Sequence, residues 1–288
     1  MCKNKDIIVV YKFQPHNKVN GTLFYCFEYT MQLLELDQNV NFYIYNIKDE
    51  KDKVLVEKCF KEKYKEEYYK YFNNVCFLKH TVNLAKIARN DLSVFVSFDI
   101  KTYNDYSKFA PLNKKFAYIN SVKTEECYWS NHIDYSSNTT FFGFYNYQYP
   151  SKEMLIKKNS FFICEKLKIG FKYHKQYLKS DNDLVFVSAP NMESLGSKYD
   201  CYPYISKRTY YCFDNIFKNV NFIIYIHNDF DTNNRIIPEA FYHFKKFELI
   251  DMVDINDSIK HRLDLCLNDK LCELTLEPSS LIIQSIIG

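Results

Sequence analysis

An apolar run, Asp6-Ile7-Ile8-Val9-Val10-Tyr11-Lys12-Phe13, reads as a buried strand. A polar loop follows from Gln14 to Gly21. Thr22 to Leu36 comes next, with Phe24, Phe27, Met31 and Leu34 at helical spacing, and then a second strand, Asn39 to Ile47. Strand, loop, helix and strand in this order have the size of one parallel crossover. A chain that opens this way is directed toward a parallel sheet with helices on its faces.

The alternation continues. Asp49 to Phe72 reads as one charged amphipathic helix, with Val54, Phe60, Tyr64, Tyr68 and Tyr71 near one face. Val75–Leu78, Leu92–Phe98, Phe116–Val122 and Thr139–Tyr147 read as strands, the last closing this half, and Val82–Ala88 as a short helix. The Lys-rich stretch Ser151–Leu178 reads as a connector, helical in parts. The pattern then restarts, with strands at Asp183–Ala189, Asn221–His227, Phe247–Asp251 and Cys272–Leu276. Helices are expected at Thr209–Phe217, Ile236–Phe244, Ser258–Cys266 and Ser279–Ile287. The expectation is an α/β protein of two parallel-sheet lobes, residues 1–165 and 166–288, and 288 residues suffice for two ordinary cores.

Charge excludes some classes. With 38 basic and 35 acidic residues the net charge is +3, so no strong field points to a dedicated nucleic-acid coat or membrane binder. The ten cysteines include no C-x-x-C and no zinc-finger spacing, and reduced thiols in a cytoplasm are expected. No signal-type h-region opens the sequence, and no apolar run is long enough to span a bilayer. Lys, Asn, Ile, Tyr and Phe dominate because their codons are AT-rich, so the many aromatics carry little functional weight.

Candidate site residues follow from placement. The loop after strand one, with His16, Asn20 and Gly21, faces the ligand crevice of an open α/β sheet; a helix cap is the plain alternative. It lacks G-x-G-x-x-G, which argues against a nicotinamide or flavin site. Asp99, directly after Leu92–Phe98, is placed for general-base work, or is simply a loop or cap residue. In the second half, Arg235 and Glu239 flank a helix start marked by Pro238. Arginines are scarce, only Arg89, Arg208, Arg235 and Arg262. Arg235 is expected in the loop, free to meet a phosphate, with surface pairing to Glu239 the alternative. Ser188 and Asn191 follow the first strand of this half, His227 ends a strand, and Lys207-Arg208 forms a second candidate phosphate clamp.

These segments together resemble glycosyltransferases of the GT-B fold. The run Asn20-Gly21-Thr22-Leu23-Phe24-Tyr25-Cys26-Phe27-Glu28, followed by Leu33-Leu34-Glu35-Leu36 and Asn39-Val40-Asn41-Phe42, resembles the family's G-G-x-E…L-x-x-x-G-H-x-V pattern. Asn20 replaces its first Gly and Asp37-Gln38 its Gly-His. Arg235-Ile236-Ile237-Pro238-Glu239-Ala240 resembles the donor-site helix with its E-A pair. Asp257–Arg262 and Phe186–Asn191 look most like the bacteriophage branch.

The resemblance implies two Rossmann-like lobes facing across a cleft. The C-terminal lobe would hold a nucleoside-diphosphate sugar, a UDP-sugar first among them, with Arg235 at the phosphates and Glu239 at hydroxyls. The N-terminal lobe would present the acceptor beside Asn20, Gly21 and Asp99. It implies no required cofactor and no catalytic metal, although Asp229-Phe230-Asp231 matches D-x-D by letter. The acceptor implied by the phage branch is a modified base in DNA, met by the Lys-rich stretches Lys108–Lys123 and Lys152–Lys179. A glycan, lipid-linked or protein acceptor stays open. So does a non-catalytic nucleotide- or nucleic-acid-binding module on a degenerate transferase fold.

Overall fold

The computed structural model describes residues 5–14, 20–90, 92–119, 138–143, 160–165, 167–177, 185–188, 204–206, 217–227, 235–251 and 278–288. The chain divides into two compact units, one of Met1–Tyr173 with Thr275–Gly288, the other of His174–Leu274. The sequence places the division near 165 and gives everything beyond it to the second lobe. The structure returns the C-terminal helix to the first unit.

The first unit is built on seven parallel strands. They are β1 (Asp6–Lys12), β2 (Asn39–Tyr45), β3 (Val75–Phe77), β4 (Val94–Ser97), β5 (Lys114–Tyr118), β6 (Thr139–Gly143) and β7 (Ser160–Cys164), in the order β3-β2-β1-β4-β5-β6-β7. Five consecutive residues of β1, Ile7 to Tyr11, are buried, as a central strand covered on both faces requires. The seventh strand corrects the sequence reading. Ser160–Cys164 lies inside the stretch expected to be a connector, yet pairs in parallel with β6. Pairing of all five residues with β6, and the aromatic Phe161 and Phe162 with Ile163, outweigh the lysine-rich flanks.

Helix α1 (Gly21–Glu35) follows β1. Asn20 caps it, and eleven of its fifteen residues are buried. Its end is a Schellman turn: the Gln38 amide reaches Leu33 O at 3.1 Å and the Asp37 amide reaches Leu34 O at 3.1 Å. Asp37 takes the left-handed conformation, φ 55°, that such a turn usually assigns to Gly.

Helix α2 (Glu50–Lys63) is capped by Asp49, with Glu50 and Asp52 in its first turn and Lys61 and Lys63 in its last. The single helix expected to Phe72 instead breaks at Tyr64. The Lys65 amide donates to Tyr173 O at 3.0 Å and the Tyr64 hydroxyl to Phe24 O at 3.2 Å. These tertiary bonds divert the chain into a 3-10 segment, Glu66–Asn74. Phe60, Tyr64 and Phe72 thereby pack around Phe27, with ring centroids 4.8, 6.1 and 6.2 Å away. A short α3 (Leu84–Ile87) precedes β4, and α4 (Ile100–Ser107), absent from the sequence reading, follows it.

The second unit holds β8 (Val185–Ser188), β9 (Tyr204–Ser206), β10 (Phe222–His227) and β11 (Lys246–Asp251), all parallel, in the order β11-β10-β8-β9. Strand β9 was not anticipated. Helix α5 (Ile236–Tyr242) connects β10 to β11, and α6 (Ser280–Ile287) ends the chain in the first unit. The helix and strand expected at Ser258–Cys266 and Cys272–Leu276 lie outside the described residues.

Candidate functional site

In the first sheet the chain leaves β1 toward β2 on one side and later takes up β4 on the other. The connections diverge there, so the carboxyl ends of β1 and β4 border the crevice where open parallel sheets bind ligands. Asn20 and Gly21 open α1 on one side of this switch point. Asp99 opens α4 on the other. The hydroxyl of buried Tyr11, the penultimate residue of β1, donates to Asn20 Oδ1 at 3.0 Å. Burial, then the nearby Asp99 charge, pushes its ionisation well above the usual range. His16 lies outside the described residues.

Asn20 is a true N-cap. Its Oδ1 also accepts from the Leu23 amide at 3.3 Å. Two donors on one oxygen fix the orientation of the amide, and Nδ2 is the part these donors do not engage.

Asp99 is likewise a cap, on α4. Oδ1 accepts from the Thr102 amide at 2.7 Å and Oδ2 from the Thr102 hydroxyl at 2.6 Å. Burial raises its pKa above the ordinary carboxylate value; the two Thr102 bonds and Lys101 oppose this, and Asp105 adds to it. Capping does not exhaust the group, because each carboxylate oxygen keeps a further lone pair.

Four polar residues of this rim escaped the sequence reading. Lys12 Nζ meets Asp105 Oδ2 at 2.6 Å, and the Tyr45 hydroxyl donates to the same oxygen at 3.0 Å. The Lys12 amide donates to Thr102 Oγ1 at 3.1 Å. Helix α4 thus presents Thr102 and Asp105, three apart, to the ends of β1 and β2. The overlooked signal was Asp99 followed by Ile100, Tyr103 and Tyr106, an N-cap ahead of apolar residues every third position.

In the second unit β8 lies between β9 and β10, so its switch point falls between β8 and β10. Ser188 and His227 are the last residues of these neighbours, and Ser188 is in register with Tyr225. Both therefore stand at the carboxyl ends of their strands. Asn191, Lys207, Arg208 and the Asp229–Asp231 segment lie outside the described residues.

Arg235 requires a correction. It is not a loop residue free to meet phosphate. It precedes α5 directly in helical backbone conformation, and its Nε binds Glu239 Oε1 at 2.9 Å with side-chain exposures of only 2% and 0%. The i, i+4 spacing brings the two together, and the packing of α5 takes them out of water. The surface pair considered as the alternative is in fact interior.

Among the described residues, no three His, Cys, Asp or Glu side chains are grouped as metal ligands would be, and no helix is long and apolar enough to cross a membrane. No family model and no curated protein matches the chain. Among solved structures, it aligns over 98% of its length with 89% of MurG from Acinetobacter baumannii, at 8% identity and a TM-score of 0.43. It aligns over 99% of its length with 92% of a glycosyltransferase from Rickettsia africae ESF-5, at 9% identity and a TM-score of 0.44.

Proposed function

We propose that the chain is a GT-B glycosyltransferase that moves a sugar from a nucleoside-diphosphate donor to a hydroxyl of an acceptor. One observation carries this: Asn20 and Asp99, picked out by separate arguments, open the two helices that flank one switch point. A carboxyl with a raised pKa, held at both oxygens by Thr102, suits removal of a proton from an attacking hydroxyl.

In this reading the first unit takes the acceptor, with Asp99 as the base if the anomeric centre inverts. The second unit takes the donor at the carboxyl ends of β8 and β10, with Ser188, Asn191, Lys207, Arg208 and His227 as its contacts. Lys207 and Arg208 replace Arg235 as the cations facing the diphosphate, a role that stabilises the leaving group. The Arg235–Glu239 pair braces the start of α5.

The test is release of nucleoside diphosphate from a panel of UDP-, GDP- and dTDP-sugars, with glycan, protein and hydroxymethylated-DNA acceptors in separate arms and EDTA throughout. Turnover that one acceptor accelerates supports the reading, and the DNA arm decides the sharper expectation of a modified phage base. Nucleotide binding without release in any arm favours the non-catalytic module.

A further inference from the structure

The reading of Asp99 as a base leaves open what holds its carboxylate. A flexible aspartate would rotate about χ1 and χ2 and spend part of its time turned from the substrate. Here both oxygens are held by one residue. The Thr102 amide takes Oδ1 at 2.7 Å and the Thr102 hydroxyl takes Oδ2 at 2.6 Å.

Thr102 is itself fixed from a third side. Its side chain is fully buried, and its Oγ1 accepts the Lys12 amide at 3.1 Å. That acceptance orients the hydroxyl. With the Lys12 N–H on the oxygen lone pairs, the one O–H proton is given to Asp99. The chain of bonds therefore runs from the end of β1, through Thr102, to the carboxylate after β4.

A cap alone does not need this hydroxyl. The backbone amide of Thr102 already satisfies the N-cap bond, and an apolar residue at that position would leave it intact. The second bond acts on the carboxylate and favours its ionised form, because a donor to a charged oxygen is stronger than one to a neutral acid.

We propose that Thr102 is the positioning residue of the site: its hydroxyl, oriented by the Lys12 amide, holds the Asp99 carboxylate in one orientation and in its base form. This rests on the reading of Asp99 as the base, but its hold on Asp99 can be measured without any reaction. The charged and titratable groups facing Asp99 are Tyr11 from β1, Cys26 from α1, Tyr45 from β2, and Lys101, Asp105 and Tyr106 from α4. Asp105 is neutralised by Lys12 at 2.6 Å, which limits its repulsion of Asp99. Burial opposes ionisation of Asp99, and the Thr102 hydroxyl is one of the groups that work against it.

The experiment is a carboxyl NMR titration of the full chain carrying 13C-labelled aspartate, with the Asp99 signal assigned by its loss in Asp99→Asn. Thr102→Val should move the Asp99 midpoint upward by about one pH unit, the size of one charge-assisted bond. Thr102→Ser, which keeps the hydroxyl, should stay near wild type. Thr102→Ala removes the hydroxyl without placing a methyl against the Lys12 amide, and repeats the test if Thr102→Val does not fold.

An unchanged midpoint in the folded hydroxyl-free variant overturns the proposal. In turnover, the acidic limb of the pH–kcat profile should move by the same amount with donor KM unaltered; a merely structural loss would lower activity at every pH and leave the limb in place. If the chain transfers no sugar, the functional reading falls, while the titration still decides the hold of Thr102 on Asp99.

Discussion

Arg235 and Asp99 came from the same kind of argument, a charged residue beside a helix start, and the structure treats them differently. Arg235 is buried, with its Nε on Glu239. Replacing Glu239 by Gln removes the carboxylate that meets a buried guanidinium at 2.9 Å, and should destabilise the fold by about 3 kcal/mol in urea unfolding. Replacing both residues by Met and Leu should cost less, because the guanidinium and the carboxylate that meet there are removed together. Asp99 keeps a carboxyl whose pKa burial has raised. Folding raises this pKa above its unfolded value, so the stability linked to it is full below the unfolded aspartate value of about 3.9 and is lost as pH rises through the higher folded value. Asp99→Asn retains a capping oxygen and removes this titration. Its stability relative to wild type should therefore climb with pH across that window, as urea midpoints taken from pH 4 to pH 8 would show. A carboxylate's place in the order of motifs was readable from sequence. Whether water or a partner surrounds it was not, since that depends on which helix packs over it.

At the scale of elements, the motif departures in α1 acquire physical causes. Asp37 stands where the resembled pattern has Gly, and it adopts the left-handed turn regardless. Asp37→Gly should stabilise the fold by a few tenths to about 1 kcal/mol in thermal or urea unfolding. Glu28, at the end of the motif's first run, is fully buried and structural: it accepts the Gly170 amide at 3.0 Å and the Tyr64 hydroxyl at 3.2 Å. Gly170 sits so close that a Cβ there would lie 2.8 Å from the Tyr173 ring. That ring is pinned by its hydroxyl on Gln32 at 3.2 Å and Glu35 at 2.9 Å. Gly170→Ala should cost about 1–3 kcal/mol, measured the same way. The periodicities of α1, β1, β2 and β10 were legible because one covered face or two dictate them. The break after α2 was not, since it is made by Tyr173, more than a hundred positions away. Strand β7 was hidden because it is short and flanked by polar residues, so its pairing with β6 decides its state.

For the whole molecule, the alternation of strands and helices announced two parallel sheets, and the structure has them. It did not announce that the last helix rejoins the first unit. That return is made by Tyr29, whose hydroxyl accepts both the Lys168 amide at 3.3 Å and the Ser279 amide at 3.2 Å, and by Ser279 Oγ on Glu165 at 2.6 Å. A hydroxyl that gathers two distant segments leaves no periodic trace in sequence. The candidate acceptor site lies in the same unit, and part of its rim was legible: Asn20, Gly21 and Asp99 follow strands, whereas Lys12, Tyr45, Thr102 and Asp105 gain meaning only once β2, β1 and β4 lie side by side. The central claim is that this rim performs base-assisted sugar transfer. The most direct measurement is nucleoside-diphosphate release by wild type and Asp99→Asn on the same donor and acceptor, with donor affinity followed by calorimetry. The account predicts a fall in kcat of about 10²–10⁴ with donor affinity unchanged, the usual contribution of a positioned base. Equal turnover in the folded variant would contradict it.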